Sequence, residues 1–149
     1  MSDEADIRAV VQAIYAMISG PAGPRDWSKH LDYFHPDCRQ IRTGVDDNGQ
    51  PWATMLSPDE YRENVTPFFD ASAFYEIGLN CEVRVFGNIA HAWSSYEART
   101  DLKSPEPERR GINSIQFYRD AGGKWRIISM IWDNERGGIS LPPTMERPG

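Results

Sequence analysis

Apolar residues recur every three to four positions in the first third of the chain and every second position in its second half. Ile7, Val10, Val11, Ile14 and Ile18 form one stripe on a predicted first helix. Ser2 or Asp3 can accept the free N–H groups of its first turn, Glu4 and Asp6 suit its positive end, and Gly20-Pro21 ends it. After the loop GPAGPRD, Asp26 is placed to cap a short helix over 27–34, with Trp27, Leu31 and Phe34 on one face. Pro36 pushes residue 35 out of the helical region, so a short strand is expected over 38–43. The stretch GVDDNGQPW is a turn centred on Asn48-Gly49. SPDEYRENVTPFFD predicts a third helix with a capping box. Ser57 is the cap, Pro58 the first helical residue and Glu60 the group reaching back, while Tyr61, Val65, Phe68 and Phe69 form the buried stripe. Pro67 should bend its last turn.

The period then changes to two. In FYEIGLNCEVRVF, alternation puts Tyr75, Ile77, Leu79, Cys81, Val83 and Val85 on one face and Glu76, Asn80, Glu82 and Arg84 on the other. Gly87-Asn88, the loop DLKSPEPE and AGGK separate three further strands, IAHAWSSYEART, RRGINSIQFYRD and WRIISMIWDNER, and these short connections imply antiparallel neighbours. The whole reads as one α+β domain over 1–136 followed by a tail over 137–149, with a curved antiparallel sheet wrapped around the N-terminal helices. In the last strand Trp125, Ile127 and Ile131 alternate with Ile128, Met130 and Trp132, so both rows are apolar. One face must pack on the helices. The other is expected to meet a second copy of the chain, a homodimer through the sheet, unless the tail with Ile139 and Leu141 covers it.

The formal charge of −6 argues against nucleic-acid and anionic-membrane partners. No stretch reaches the roughly 20 apolar residues of a membrane span, and the acidic N-terminus lacks the character of a secretory signal, so the cytoplasm is the expected compartment. Cys38 and Cys81 belong to no CxxC or metal pattern and read as reduced, largely buried thiols. Phosphate-binding glycine motifs and the GxSxG elbow are absent from the sequence. His30, His35 and His91 are too scattered for a metal set. No metal or cofactor is therefore expected. The five Trp, six Tyr and three His near the apolar stripes suit a pocket for a small hydrophobic or aromatic molecule.

Certain strings carry a family resemblance: the helix IRAVVQAIYAMI, the turn YFHPDCRQIR, the strand GNIAHAWSSYEAR and the hairpin SIQFYRDAGGKWRIISMIW. Over residues 5–134 the chain resembles the nuclear-transport-factor-2-like (NTF2-like) superfamily, in particular its SnoaL-like branch. The resemblance implies a cone-shaped, cystatin-like roll whose mouth admits a ligand. It also implies a menu of roles, from ketosteroid isomerisation, polyketide cyclisation and dehydration to carrier duties. It makes Asp37, just after the helix-to-strand turn, the leading acid–base candidate, because related isomerases and cyclases place a carboxylate there. His35 and His91 can act as bases near neutral pH. Further pocket candidates are Tyr15, as a hydrogen-bond donor to an oxyanion, then Trp27, His30, Tyr96, Asn113, Ser129 and Asp133. Alternation leaves open which row of the His91 strand faces the cavity, the one with His91 and Glu97 or the one with Ala90, Ala92, Ser94 and Tyr96. Three functions fit: an acid–base isomerase, dehydratase or cyclase; a ligand-binding domain; or an interaction module.

Overall fold

The computed structural model describes residues 2–148. Helix α1 runs Asp3–Ile18, with the Ser2 side chain accepting from the Ala5 N–H and Ile7, Val11, Ile14, Tyr15 and Ile18 buried. Helix α2 is a single turn, His30–Tyr33, and strand β1 spans Phe34–Val45. Both differ from the expected bounds. Asp26 accepts from the Ser28 N–H in a turn of its own, which delays the helix. Phe34 already pairs with β6, so the strand starts before Pro36. Strand β2, Pro51–Leu56, was not expected. Five of its six residues are exposed, so it carries no alternation to read. Helix α3, Pro58–Ala71, has the full capping box and keeps Pro67 inside; Tyr61, Val65 and Phe69 are buried, whereas Phe68 lies open.

Strands β3 (Tyr75–Phe86), β4 (Ile89–Arg99), β5 (Arg109–Arg119) and β6 (Trp125–Asn134) complete one six-stranded sheet of order β2-β1-β6-β5-β4-β3. Every neighbouring pair is antiparallel except β1–β6, which is parallel. The inner face of the sheet packs on α1 through Ala92, Ile115, Phe117 and Ile127, all fully buried or nearly so.

Two bulges decide which residues face inward. Between Gly78↔Tyr96 and Cys81↔Ser94, β3 uses one residue more than β4. Between Gln116↔Ser129 and Phe117↔Ile127, β6 does the same against β5. An extra residue reverses the alternation beyond it. On β3, Cys81 and Val83 pack on the core, but before the bulge it is Glu76 and Gly78 that face inward. On β6, Trp125 and Ile127 face inward before the bulge and Met130 and Trp132 after it. The single-row assignments for both strands are thereby corrected.

The tail is docked on the outer face. The Ser95 hydroxyl donates to the Met145 carbonyl at 2.6 Å, the Asn80 amide donates to the Thr144 carbonyl at 2.8 Å, and Leu141 and Met145 are buried. It covers the β3–β4 end and leaves Ile89, Trp93, Ile128 and Ile131 exposed. No helix among the described residues is long and apolar enough to cross a membrane.

Candidate functional site

Between α1, α3 and the concave side of the sheet lies a cavity of about 690 Å³. Ile14, Phe34, Phe69 and Met130 give it an apolar lining, and the exposed Val45, Trp52 and Phe68 mark its mouth. This volume lies within the range of small-molecule sites.

The polar groups come from four directions. Tyr15, on the inner side of α1, shares a 2.7 Å hydrogen bond with the Ser94 hydroxyl and accepts one of 2.9 Å from the Asn113 amide. Tyr96, on the inward row of β4, donates to Asn134 Oδ1 at the end of β6. Both phenols therefore have their partners inside the protein. Gln40 on β1 lines the cavity and is held from behind by His30, whose Nε2 lies 3.3 Å from Gln40 Oε1.

Glu76 and Tyr61 are different. The Glu76 side chain lines the cavity and has no hydrogen-bond or ion-pair partner among the described residues; only its backbone is engaged, by the Ser19 hydroxyl. Burial pushes its carboxyl up to about 7, and the nearby Arg109 only partly opposes this. The Tyr61 hydroxyl, on the buried stripe of α3, likewise has no partner among the described residues. Burial raises the Tyr15, Tyr61 and Tyr96 phenols far above their ordinary range, and the Glu76 charge is the next largest cause in each case. One carboxyl thus acts on three phenols around the same space.

Several sequence candidates lie elsewhere. Asp37 and His35 sit at the start of β1, where Phe34, Cys38 and Gln40 take the inward positions. The Asp37 side chain is 89% exposed, and His35 packs against Tyr118 outside the cavity. His91 is on the outer row of β4 and bonds the Ser114 hydroxyl at 3.0 Å, because Ala90, Ala92, Ser94 and Tyr96 are the inward row. Ser129 is in register with the exposed Arg39 and Gln116 and also faces outward. None of these four reaches the cavity. Trp27 and His30 lie behind its wall, stacked on each other and on Tyr61. Burial holds the His30 imidazole below its ordinary value, against the pull of Gln40. Tyr15, Tyr96, Asn113 and Asp133 do line the cavity. Asp133 is closed by a two-pronged ion pair with Arg136, 2.6 and 3.0 Å, which keeps its carboxyl low.

Glu76 and Tyr61 were missed in the sequence. For Glu76 a signal existed: Gly78 in mid-strand is a mark of a bulge or close approach, and here the Tyr15 ring lies where its Cβ would point, at 3.2 Å. Tyr61 was assigned to the core stripe and nothing local marks its hydroxyl. The two thiols carry no site: both are free and raised by burial, Cys38 to about 12. No cluster of metal-binding side chains occurs among the described residues.

No family model and no curated protein sequence matches the chain. Solved structures do. A Nostoc punctiforme protein with a cystatin-like fold superposes with a TM-score of 0.68 at 15% identity, over 94% of each chain. A Shewanella frigidimarina protein assigned as a ketosteroid isomerase gives 0.56 at 16% identity, over 84% of this chain and 92% of that one. A Streptomyces avermitilis protein of the NTF2-like family assigned as a dehydratase gives 0.59 at 10% identity, over 89% and 95%. The chain has a cystatin-like fold, with a cavity between its helices and the concave side of the sheet.

Proposed function

We propose that the protein is a non-redox acid–base enzyme acting on a small, largely hydrophobic carbonyl compound, with Glu76 as the proton-transfer group. The observation that carries this is the Glu76 carboxyl, set in the cavity without a protein partner and raised to about 7. A group that titrates near neutrality serves as base and acid in turn. The Glu76 carboxylate takes the proton from carbon beside a carbonyl, and the C–H electron pair moves onto the carbonyl oxygen. The Tyr61 hydroxyl donates a hydrogen bond to that oxygen. Protonated Glu76 then returns the proton to another carbon, completing an isomerisation, or gives it to a departing hydroxide, completing a dehydration. Two of the structural relatives are assigned to these reaction types, which supports the reading at the level of fold analogy.

The test is hydrogen–deuterium exchange beside the carbonyl in a panel of cyclic aromatic ketones and enones, followed by proton NMR in D2O at pH 7. Exchange well above the buffer rate is expected for at least one class. If compounds bind, by ligand-observed NMR, and none exchanges, the protein is a carrier and the enzyme reading is wrong.

The same proposal includes a second copy of the chain on the outer sheet face, where Trp93, Ile128 and Ile131 lie open beside the docked tail. Light scattering should give twice the 17.0 kDa chain mass, and Ile131→Glu should give the single mass. A wild-type monomer at tens of micromolar would refute the dimer.

A further inference from the structure

Two of the cavity's three arginines lack a carboxylate. Arg136 is closed by Asp133, and elsewhere Arg99, Arg110, Arg119 and Arg126 each have an acidic partner. Arg42 and Arg109 have none within 4.0 Å among the described residues, although the chain carries a formal charge of −6. Arg25, Arg39, Arg62 and Arg84 likewise have none, but they do not line this cavity.

Both guanidinium groups are held by aromatic faces rather than by anions. Arg42 lies 5.9 Å from the Trp132 ring centre and gives one N–H to Asn64 Oδ1 at 2.9 Å. Arg109 lies 5.7 Å from the Phe74 ring centre, at the exposed side of the cavity. These contacts leave guanidinium N–H groups unclaimed. Arg42 and Arg109 both line the cavity that Ile14, Phe34 and Met130 make apolar on its other side.

We infer that the ligand of this cavity is an amphipathic anion: an apolar ring system carrying one oxyanion group, a carboxylate, sulfonate or phosphate ester. The inference rests on reading the cavity as a ligand site. Its apolar body fills the space lined by Ile14, Phe34 and Met130, and its oxyanion takes the free N–H groups of Arg42 and Arg109. An oxyanion is the group that a guanidinium fork binds best. The anionic group is distinct from the reacting carbonyl, because the Glu76 carboxylate would repel a negative charge placed against it.

A matched pair of fluorescent probes tests this. 1-Anilinonaphthalene-8-sulfonate and N-phenyl-1-naphthylamine share an apolar body, and only the first carries an anion. The sulfonate should bind the wild-type protein about tenfold or more tighter, a difference of about 1.4 kcal/mol, as expected for one or two charge-assisted hydrogen bonds. Its affinity should fall with added salt while that of the neutral probe holds. Arg42→Gln and Arg109→Gln should each weaken the sulfonate about fivefold to tenfold and leave the neutral probe within about twofold. Arg84→Gln, at an exposed position on β3, should change neither. Because Arg109 is exposed, its variant tests the inference even if Arg42→Gln folds poorly. Equal affinity for the two probes, arginine variants that move both probes or neither, or no binding of either probe would overturn it.

The outcome is separable from that of the enzyme proposal. If the sulfonate is preferred through the arginines but no ketone exchanges, the anion site stands and the chemistry falls. If ketones exchange through Glu76 but the probes bind alike, the chemistry stands and the anion site falls.

Discussion

Replacing Glu76 by glutamine is expected to lower the ketone exchange rate by at least about 100-fold, the usual contribution of a positioned acid–base group. The same variant should be more stable than the wild type at pH 8. The two effects have one origin. The carboxyl faces a cavity lined by Phe69, Phe74 and Trp132, no N–H or O–H of the described residues donates to it, and Arg109 only partly offsets its charge. Ionisation there is costly, and glutamine removes the cost while keeping shape and volume.

The sign follows from the proton balance. In the unfolded chain the Glu76 carboxyl titrates near its ordinary 4.5; in the folded protein it titrates at about 7. Below pH 4.5 it is protonated in both states and contributes nothing to pH dependence. Between 4.5 and about 7 the unfolded chain has given up a proton that the folded protein keeps, so stability falls as pH rises. Above 7 both states are ionised and the full cost is present, at most about 3 kcal/mol and less where water enters the cavity. Urea unfolding at pH 5 and pH 8 should therefore show a pH-dependent gap between Glu76→Gln and the wild type that widens at the higher pH. A base with this titration also predicts a kcat/KM that rises through pH 7 and levels off above it. If the variant keeps full exchange activity, or if the stability gap is the same at both pH values, Glu76 is not the titrating group of this site.

How much of this was legible in the sequence divides along local and non-local lines. Helix α1 and the capping box of α3 were readable because their signals lie within four residues of each other: the stripe Ile7, Val11, Ile14, Ile18, and Ser57 with Glu60. The choice between the two rows of β4 needed the rest of the sheet. Alternation alone cannot say whether Ala90, Ala92, Ser94 and Tyr96 or His91 and Trp93 pack on α1, and the helix accepts the smaller row. Long-range pairing also extended β1 back to Phe34, which moved Asp37 from a pocket candidate to an exposed position on the strand. The largest loss came from the bulges. Strict alternation along β3 puts Glu76 with Glu82 and Arg84 on the wet face, and the extra residue before Cys81 reverses that for the first half of the strand. The Glu76 carboxyl was hidden by a one-residue irregularity that only Gly78 announced.

Gly111→Ala is expected to be the most damaging single-methyl change in the sheet. Gly111 lies on β5 between Tyr96 of β4 and Asn134 of β6, on the inner face. An added Cβ would stand 2.5 Å from the Tyr96 hydroxyl and 2.7 Å from Asn134 Oδ1, the two atoms of one hydrogen bond, and it would press on the Asp133 carbonyl. In an open strand, alanine would be favoured over glycine by about 0.5–1 kcal/mol through lower unfolded-state entropy. Here overpacking outweighs that gain, because the Asp133 carbonyl is backbone and the spacing is held by the β5–β6 ladder on one side and by the Glu135 N–H on the Arg110 carbonyl on the other. A net loss of about 2–4 kcal/mol is expected in urea unfolding. Gly78→Ala is the control: its nearest neighbour is the edge of the Tyr15 ring at 3.2 Å, a side chain that can shift by a few tenths of an ångström, so about 1 kcal/mol or less is expected. Because Gly111→Ala also forces Tyr96 and Asn134 apart, it should change the cavity wall, and its ketone exchange should fall even at temperatures where the protein remains folded. A Gly111→Ala protein as stable as Gly78→Ala would mean that β6 moves freely at its Asp133–Asn134 end, and that the Tyr96–Asn134 bond is no fixed part of the site.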